Sequence, residues 1–261
     1  MAKMQRVDQI LVKRGMADDL DEARRLVMAG KILSEGQLIL APSQKIYPDR
    51  ELSLAQKAQF VSRGGDKLQA AFNAFNLSVK GLVCADVGAS TGGFTDCLLQ
   101  GGAARVYAID VGYGILDWRL RNDTRVIVLE RTNARDLDKL PETVEFITAD
   151  VSFISLKKIL PILARWYSEQ GGESVLLVKP QFEAAREESA RGAGVISDPE
   201  IHRRILLEVL GFAAGNGFEI KGVLRSPLLG PAGNQEYLAW LNYREDQAGW
   251  EGLQEKIDAL F

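Results

Sequence analysis

Cys84-Ala85-Asp86-Val87-Gly88-Ala89-Ser90-Thr91-Gly92-Gly93-Phe94-Thr95 decides how the rest of this 261-residue chain is read. The apolar run Leu82 to Val87 leads through a glycine-punctuated turn to Phe94, Cys97 and Leu98 at helical spacing, which predicts strand, turn, helix. Glycines at such a turn let the backbone approach a ligand, and the helix N-terminus that follows presents unpaired N–H groups to it. The dinucleotide fingerprint G-x-G-x-x-G needs a second glycine where this chain has Ser90. A carboxylate just ahead of the first glycine, Asp86, suits a ligand that carries an amino group and a positive charge. S-adenosylmethionine is therefore favoured over NAD, with a purely structural tight turn as the competing reading.

A chain of this length buries a full core and has room for one large and one small domain. The net charge of −3 and the pI near 5.5 neither announce nor exclude nucleic acid, since binding depends on where the charges lie. Cys84 and Cys97 read as buried reduced thiols of a cytosolic protein, and no residues have metal-ligand spacing. The N-terminus lacks a signal-peptide core and no apolar run is long enough to cross a bilayer. A soluble, cytoplasmic protein with no membrane partner is expected.

Residues 1–57 read as a separate α+β module. Val7, Ile10, Leu11 and Gly15 predict a first amphipathic helix, and Ala23, Leu26, Val27 and Gly30 a second with Asp19 as its N-cap. Lys31 to Leu40 turns around Gly36 between short strands, and Glu51 to Leu54 returns as another. Arg6, Lys13, Arg14, Arg24, Arg25 and Lys31 concentrate positive charge for backbone phosphates, against the alternative of a solvated surface balanced by Asp8, Asp18, Asp21 and Glu22. The order R-x-D-x-x-L, G, A-R-R-L-x-x-A-G-K-I resembles the αL RNA-binding module first known from a small-subunit ribosomal protein. Leu20 stands where that family commonly carries arginine, a departure that touches one phosphate contact and leaves the module. Pro42 to Lys57 reads as last strands and a linker.

Residues 58–245 form the second domain. A helix starting near Gly65 places Lys67 in its first turn, where the macrodipole opposes a cation and snorkelling into solvent is the plain alternative. Strands follow at Arg105 to Asp110, Arg125 to Leu129, Glu145 to Ala149, Ser174 to Val178, Phe218 to Leu224 and Glu236 to Tyr243. Asp110 at the end of the second strand suits ribose hydroxyls, with helix capping as its plainer role; Asn133 suits an adenine edge or any turn. Ligands of open parallel sheets sit at the carboxyl ends of strands, so Asp150 and Lys179, which end neighbouring strands, face one cleft. A structural ion pair would also explain them, though such pairs add little net stability. Gly112-Tyr113-Gly114 can cover the pocket, and Glu183 to Asp198 reads as a loop over it. His202, the only histidine, reads as a helix-surface or cap residue without a partner. Residues 246–261 read as a C-terminal tail helix.

In sum of its motifs the chain resembles the TlyA family of bacterial RNA 2′-O-methyltransferases, often labelled haemolysins, whose catalytic part is of the FtsJ type. The resemblance rests on S-R-G-G-x-K-L at 62–68, D-x-G-x-S-T-G-G-F at 86–94, A-I-D-V-G at 108–112, A-D-V-S-F-I-S at 149–155 and K-P-Q-F-E at 179–183. It implies an α/β fold, a seven-stranded Rossmann-like methyltransferase with the last strand antiparallel. It implies a catalytic set of Lys67, Asp150, Lys179 and Glu236, and transfer of a methyl group to the ribose of rRNA, at a cytidine, in ribosomal subunits. It also implies a cofactor pocket from Asp86, Gly88, Ser90, Thr91, Gly92, Gly93 and Phe94 with Asp110, Val111 and Asn133, and RNA contacts that include Arg63. A ribose hydroxyl is a poor nucleophile at neutral pH and needs a base or a positive field, and a lysine supplies either according to whether it carries its proton. A membrane-active haemolysin and a non-catalytic rRNA-binding or assembly protein are the rival readings.

Overall fold

A strand buried on both faces reads as a continuous apolar run, and alternate residues of that run go to opposite layers. The computed structural model, which describes residues 3–54, 58–244 and 252–261, shows this division throughout its main sheet. The chain forms two compact units, residues 1–58 and 59–261. Residues 55–57 of the expected linker and residues 245–251, which include the start of the expected tail, lie outside the described residues.

The first unit contains β1 (Gln5–Arg6), α1 (Val7–Lys13), α2 (Leu20–Met28), β2 (Ile32–Ser34), β3 (Gln37–Leu38), β4 (Lys45–Ile46) and β5 (Leu52–Leu54). Val7, Ile10 and Leu11 fall on one side of α1 and pack with Ala23, Val27, Ile32 and Ile46 into a small core. Asp19 caps α2 by accepting the Glu22 N–H at 2.7 Å. Strands β3-β2-β5 form a three-stranded sheet, and β1 pairs with β4.

The second unit contains α3 (Arg63–Phe75), β6 (Val83–Val87), α4 (Gly93–Gln100), β7 (Arg105–Ile109), α5 (Trp118–Arg121), β8 (Val126–Leu129), β9 (Phe146–Ala149), α6 (Leu160–Leu163) and β10 (Gly172–Val178). It continues through α7 (Pro180–Glu183), α8 (Arg186–Arg191), α9 (Pro199–Ala214), β11 (Phe218–Arg225), β12 (Tyr237–Tyr243) and α10 (Leu253–Asp258). The seven strands run in the order β11-β12-β10-β9-β6-β7-β8, with β12, the last in sequence, antiparallel to both neighbours. Cys84, Val106, Phe146, Val175 and Leu238 face α3 and α4, where Leu68, Phe72, Phe94 and Leu98 meet them. Their strand neighbours Ala85, Tyr107, Ile147, Leu176 and Ala239 face the opposite layer of α6, α9 and α10. Cys84 and Cys97 are buried and free, and burial pushes both thiols up to about 12.

Several local expectations need correction. Helix α3 begins at Arg63, so Lys67 lies in its second turn, beyond the strongest opposition of the macrodipole, and is buried beside Leu68, Ala71 and Phe72. The segment 183–198 contains α8, whose start is held by Glu188 accepting the Ala185 N–H at 3.0 Å. His202 is buried and has two partners, because it shares one stripe of α9 with Ile205, Leu206, Val209 and Ala213.

Candidate active site

The turn after β6 is narrow because the protein's own backbone crowds it. Gly88 has φ 82°, and a Cβ there would lie 2.5 Å from the Asp150 carbonyl oxygen at the end of β9. A Cβ on Gly93 would lie 2.4 Å from Ser62 Oγ and 2.8 Å from Gly65 N, where α4 crosses the start of α3. Glycine is demanded at both places by backbone approach within the fold, before any ligand is considered. Gly92 occupies the N-cap of α4 with no side-chain cap. Ser90, with φ 50°, donates its N–H to Asp110 Oδ2 at 2.7 Å, and Gly112 donates to Asp110 Oδ1 at 2.6 Å. Asp110 thus ties the loop after β6 to the loop after β7.

Asp86 stands apart from this rim. It is fully buried, its Oδ2 accepting the Thr95 hydroxyl at 2.6 Å and its Oδ1 the Thr148 hydroxyl at 2.9 Å. Burial pushes its carboxyl up to about 6, against the hydrogen bonds of the two threonines. Whereas the sequence expectation places it in the cofactor pocket, it lines neither of the two clefts beside the turn; it braces β6 against α4 and β9, because its strand position points into the packed layer. Gly92 also stays off the cleft, facing Leu116 and Leu120.

Beyond the turn, α3, β9, β10 and β12 bring four charged side chains into one cleft of about 630 Å³, which Gly88, Ser90, Thr91, Gly93 and Phe94 also line. Val178 is registered against Tyr237 across antiparallel β10 and β12, so their chain neighbours Lys179 and Glu236 emerge at the same end of the sheet. Lys179 Nζ lies 2.6 Å from Asp150 Oδ1 and donates to Ser152 Oγ at 3.0 Å. Lys67 Nζ lies 2.5 Å from Glu236 Oε2, and Gln181 Nε2 donates to Glu236 Oε1 at 3.3 Å. The four residues form two separate ion pairs, each with a cation nearly out of solvent. Burial at this cost is weak evidence for a purely stabilising role.

Three further links join the loop after β9 to the turn after β10. Glu183 accepts the Ser155 hydroxyl at 2.5 Å and the Leu156 N–H at 2.7 Å, and burial raises its carboxyl above the ordinary range. Phe153, 91% exposed and at φ 61°, packs with its ring centroid 4.8 Å from that of Phe182 at a tilt of 47°, and the Phe182 ring lies 5.7 Å from Lys179 Nζ. A bulky residue in this backbone region is strained and needs surroundings that hold it. A second cleft of about 550 Å³ shares Gly88, Ser90, Asp150, Ser152 and Phe153 with the first and extends to Asp110, Val111 and Asn133. Asn133 already caps a turn of 3-10 helix by accepting the Arg135 N–H at 3.1 Å, which leaves only its NH2 for a ligand.

Ser152, Gln181 and Asn234 also line the first cleft, and sequence reading assigned none of them a role. Ser152 and Gln181 sit inside quoted motifs, so position between catalytic candidates was the available signal. Asn234 had none, because its partners come from a distant loop.

Of the cations expected to meet RNA in the first unit, Arg6 is held by the buried Asp8 at 3.0 and 2.6 Å, and Arg24 Nε stands 3.7 Å from the same carboxylate. The hydrogen bonds from Arg6 keep the Asp8 carboxyl below its usual range. Arg14 is spent structurally, donating to the carbonyls of Pro48 and Arg50. Lys13, Arg25 and Lys31 are exposed and have no ion-pair partner among the described residues. In the second unit Arg63 is exposed on the rim of the first cleft.

Residues 60–243 match the family model of the FtsJ-like methyltransferases. The chain is 45% identical to YqxC of Bacillus subtilis, a candidate rRNA methyltransferase, over 98% of this chain and 92% of that one. It is 44% identical to the 16S/23S rRNA (cytidine-2′-O)-methyltransferase TlyA of Mycobacterium tuberculosis, covering 98% of this chain and 97% of the relative. A solved structure of a candidate hemolysin from Streptococcus thermophilus superposes with a TM-score of 0.75 at 41% identity, over 99% of this chain and 96% of that one.

Proposed function

The chain belongs to the FtsJ-like methyltransferases and, among them, to the TlyA family, and from that premise we propose that it methylates the ribose 2′-hydroxyl of a cytidine in rRNA with S-adenosylmethionine. The observation that carries this reading is the pair of lysine–carboxylate contacts in a cleft continuous with the glycine-rich turn. The rRNA substrate is supported by the activities for which two of the relatives are named.

The residues of the second cleft fit the proposed cofactor. Asp110 stands at the end of β7, as a ligand for ribose hydroxyls does in nucleotide-binding sheets, and Gly93 and Phe94 at the N-terminus of α4 line the adjoining first cleft, where a carboxylate is favoured. S-adenosylmethionine, when bound, supplies an electrophilic methyl group on a sulfonium. The chain's own groups must then place the ribose hydroxyl and manage its proton. Lys179 is aimed by Asp150 and Ser152, and in this reading it accepts the hydroxyl proton or stabilises the developing alkoxide by its charge. Lys67, held by Glu236 and framed by Gln181, adds positive field from the other side. The exposed ring of Phe153 offers a stacking face to an unstacked base. Lys13, Arg25, Lys31 and Arg63 offer free cations to phosphates.

The test is to incubate ribosomal subunits with the protein and methyl-labelled S-adenosylmethionine, then map 2′-O-methylation by nucleotide. Label at a cytidine ribose is expected. Label confined to a base, or none, would overturn the reading. Hemolysin naming among the relatives invites a second assay, dye leakage from liposomes; among the described residues no helix is long and apolar enough to cross a membrane.

A further inference from the structure

Glu236 is bracketed by two residues tied to one distant strap of chain, Asn234 directly and Tyr237 through His202. Two positions earlier, Asn234, 2% exposed, accepts the Ile196 N–H on Oδ1 at 2.9 Å and donates from Nδ2 to the Gly194 carbonyl at 2.9 Å. One position later, the buried Tyr237 places its hydroxyl 2.8 Å from His202 Nδ1. His202 Nε2 lies 2.8 Å from the carbonyl of the same Ile196. Residue 196 is thus held on its N–H side by Asn234 and on its carbonyl side by His202.

The chemistry of these contacts sets the state of the ring. A carbonyl only accepts, so Nε2 carries the proton and Nδ1 accepts the Tyr237 O–H. Both nitrogens are satisfied in a neutral imidazole, and protonation would place a second N–H where the Tyr237 hydroxyl proton now points, so that the hydroxyl would have to turn away. Burial lowers the ring's affinity for a proton and Arg225 from β11 lowers it further, while the hydrogen bond to the Ile196 carbonyl and Asp198 at the start of α9 oppose them without reversing the net lowering. Asp258 of α10 is engaged by Arg203 at 2.7 Å. The turn before Asn234 leaves Glu236 little freedom, since a Cβ on Gly230 would lie 2.6 Å from Glu236 Oε1.

We propose that His202 is a positioning residue: through Ile196 and Tyr237 it locks the strap 192–196 to the segment 234–237, and so aims Glu236 at Lys67. Its kinetic consequence rests on the methyl-transfer reading; its structural consequence does not. His202 does not line the cleft and touches no reacting atom. Its effect belongs in turnover, and cofactor affinity is left intact.

Full-length wild-type protein is compared with His202→Gln, whose amide can donate to Ile196 and accept from Tyr237, and with His202→Leu, which can do neither. Because His202 is the only histidine, nitrogen NMR of the wild type reads its state without any variant. A neutral ring protonated on Nε2 at neutral pH is expected; a charged ring or the Nδ1–H tautomer would overturn the proposal. Amide exchange at Ile196 should speed up about tenfold or more in the leucine variant, which leaves a buried carbonyl and a hydroxyl unpaired, and stay near wild type in the glutamine variant. Equal protection in the leucine variant overturns the lock. With ribosomal subunits, the leucine variant should lose about tenfold in kcat at unchanged S-adenosylmethionine affinity, with rescue by glutamine. Wild-type kcat in the leucine variant overturns the positioning role. If wild-type protein methylates no rRNA while exchange behaves as expected, the methyl-transfer reading fails and the lock is supported.

Discussion

Lys179 and Asp150 close a 2.6 Å ion pair from the ends of two neighbouring parallel strands, β10 and β9. Strand ends are rigid supports, so the lysine is held where a reacting hydroxyl must come. Lys179→Ala is expected to lower single-turnover methyl transfer about 100-fold or more, the scale on which a positioned proton-transfer group contributes. Calorimetric binding of S-adenosylmethionine should change little. Turnover retained in the variant would remove Lys179 from the catalytic role.

The first unit offers a charge test that separates RNA contact from structure. Lys13, Arg25 and Lys31 have no partners among the described residues, whereas Arg14 clips the carbonyls of Pro48 and Arg50. Replacing the first three by glutamate should weaken ribosomal-subunit binding and flatten its salt dependence by roughly one unit of slope per lost phosphate contact. Arg14→Ala should instead lower thermal stability. A salt slope unchanged in the triple variant would place the RNA surface elsewhere.

Asp86 predicts a pH signature. Its carboxyl releases its proton near 3.8 in the unfolded chain and at about 6 when buried. Folding therefore binds a proton in that window. The resulting stabilisation is fully present below 3.8 and is lost as pH rises through about 6. In magnitude it is on the order of 2–3 kcal/mol. Asp86→Asn removes the titration, so the melting temperature of the wild type relative to the variant should fall from about pH 4 to about pH 7. A constant difference across that range would show that Asp86 titrates at its ordinary value.

Gly93→Ala tests whether the glycines serve the fold or the ligand. The new methyl would meet Ser62 Oγ and the backbone at Gly65. A loss of about 1–3 kcal/mol in denaturant unfolding is expected from overpacking, with no cofactor present. Unchanged stability together with weakened S-adenosylmethionine binding would assign Gly93 to the ligand instead.

Much of this was legible in the chain. Glycine punctuation after an apolar run placed the turn after β6, and acids or lysines at strand ends placed Asp110, Asp150 and Lys179 on one edge. Local signals fail where a residue's neighbour is remote. Asp86 carries the same signal as Asp110, yet one is sealed beneath Thr95 and Thr148 while the other reaches a cleft. His202 was misread for the same reason: polarity marked it for the surface, while its phase on α9 placed it in the core.

Sequence by itself determined the order along the chain of the seven strands of the main sheet, because a period of two or of 3.6 is a property of consecutive residues, while the short helices α5 to α8 carry too few residues to show a period. It also determined which residues stand at strand ends. Tertiary structure alone decided how those residues pair. Lys67 and Glu236 are 169 positions apart and meet because α3 packs across the sheet while β12 runs antiparallel beside β10. Such pairing depends on register and layer packing between distant segments, which no local pattern encodes.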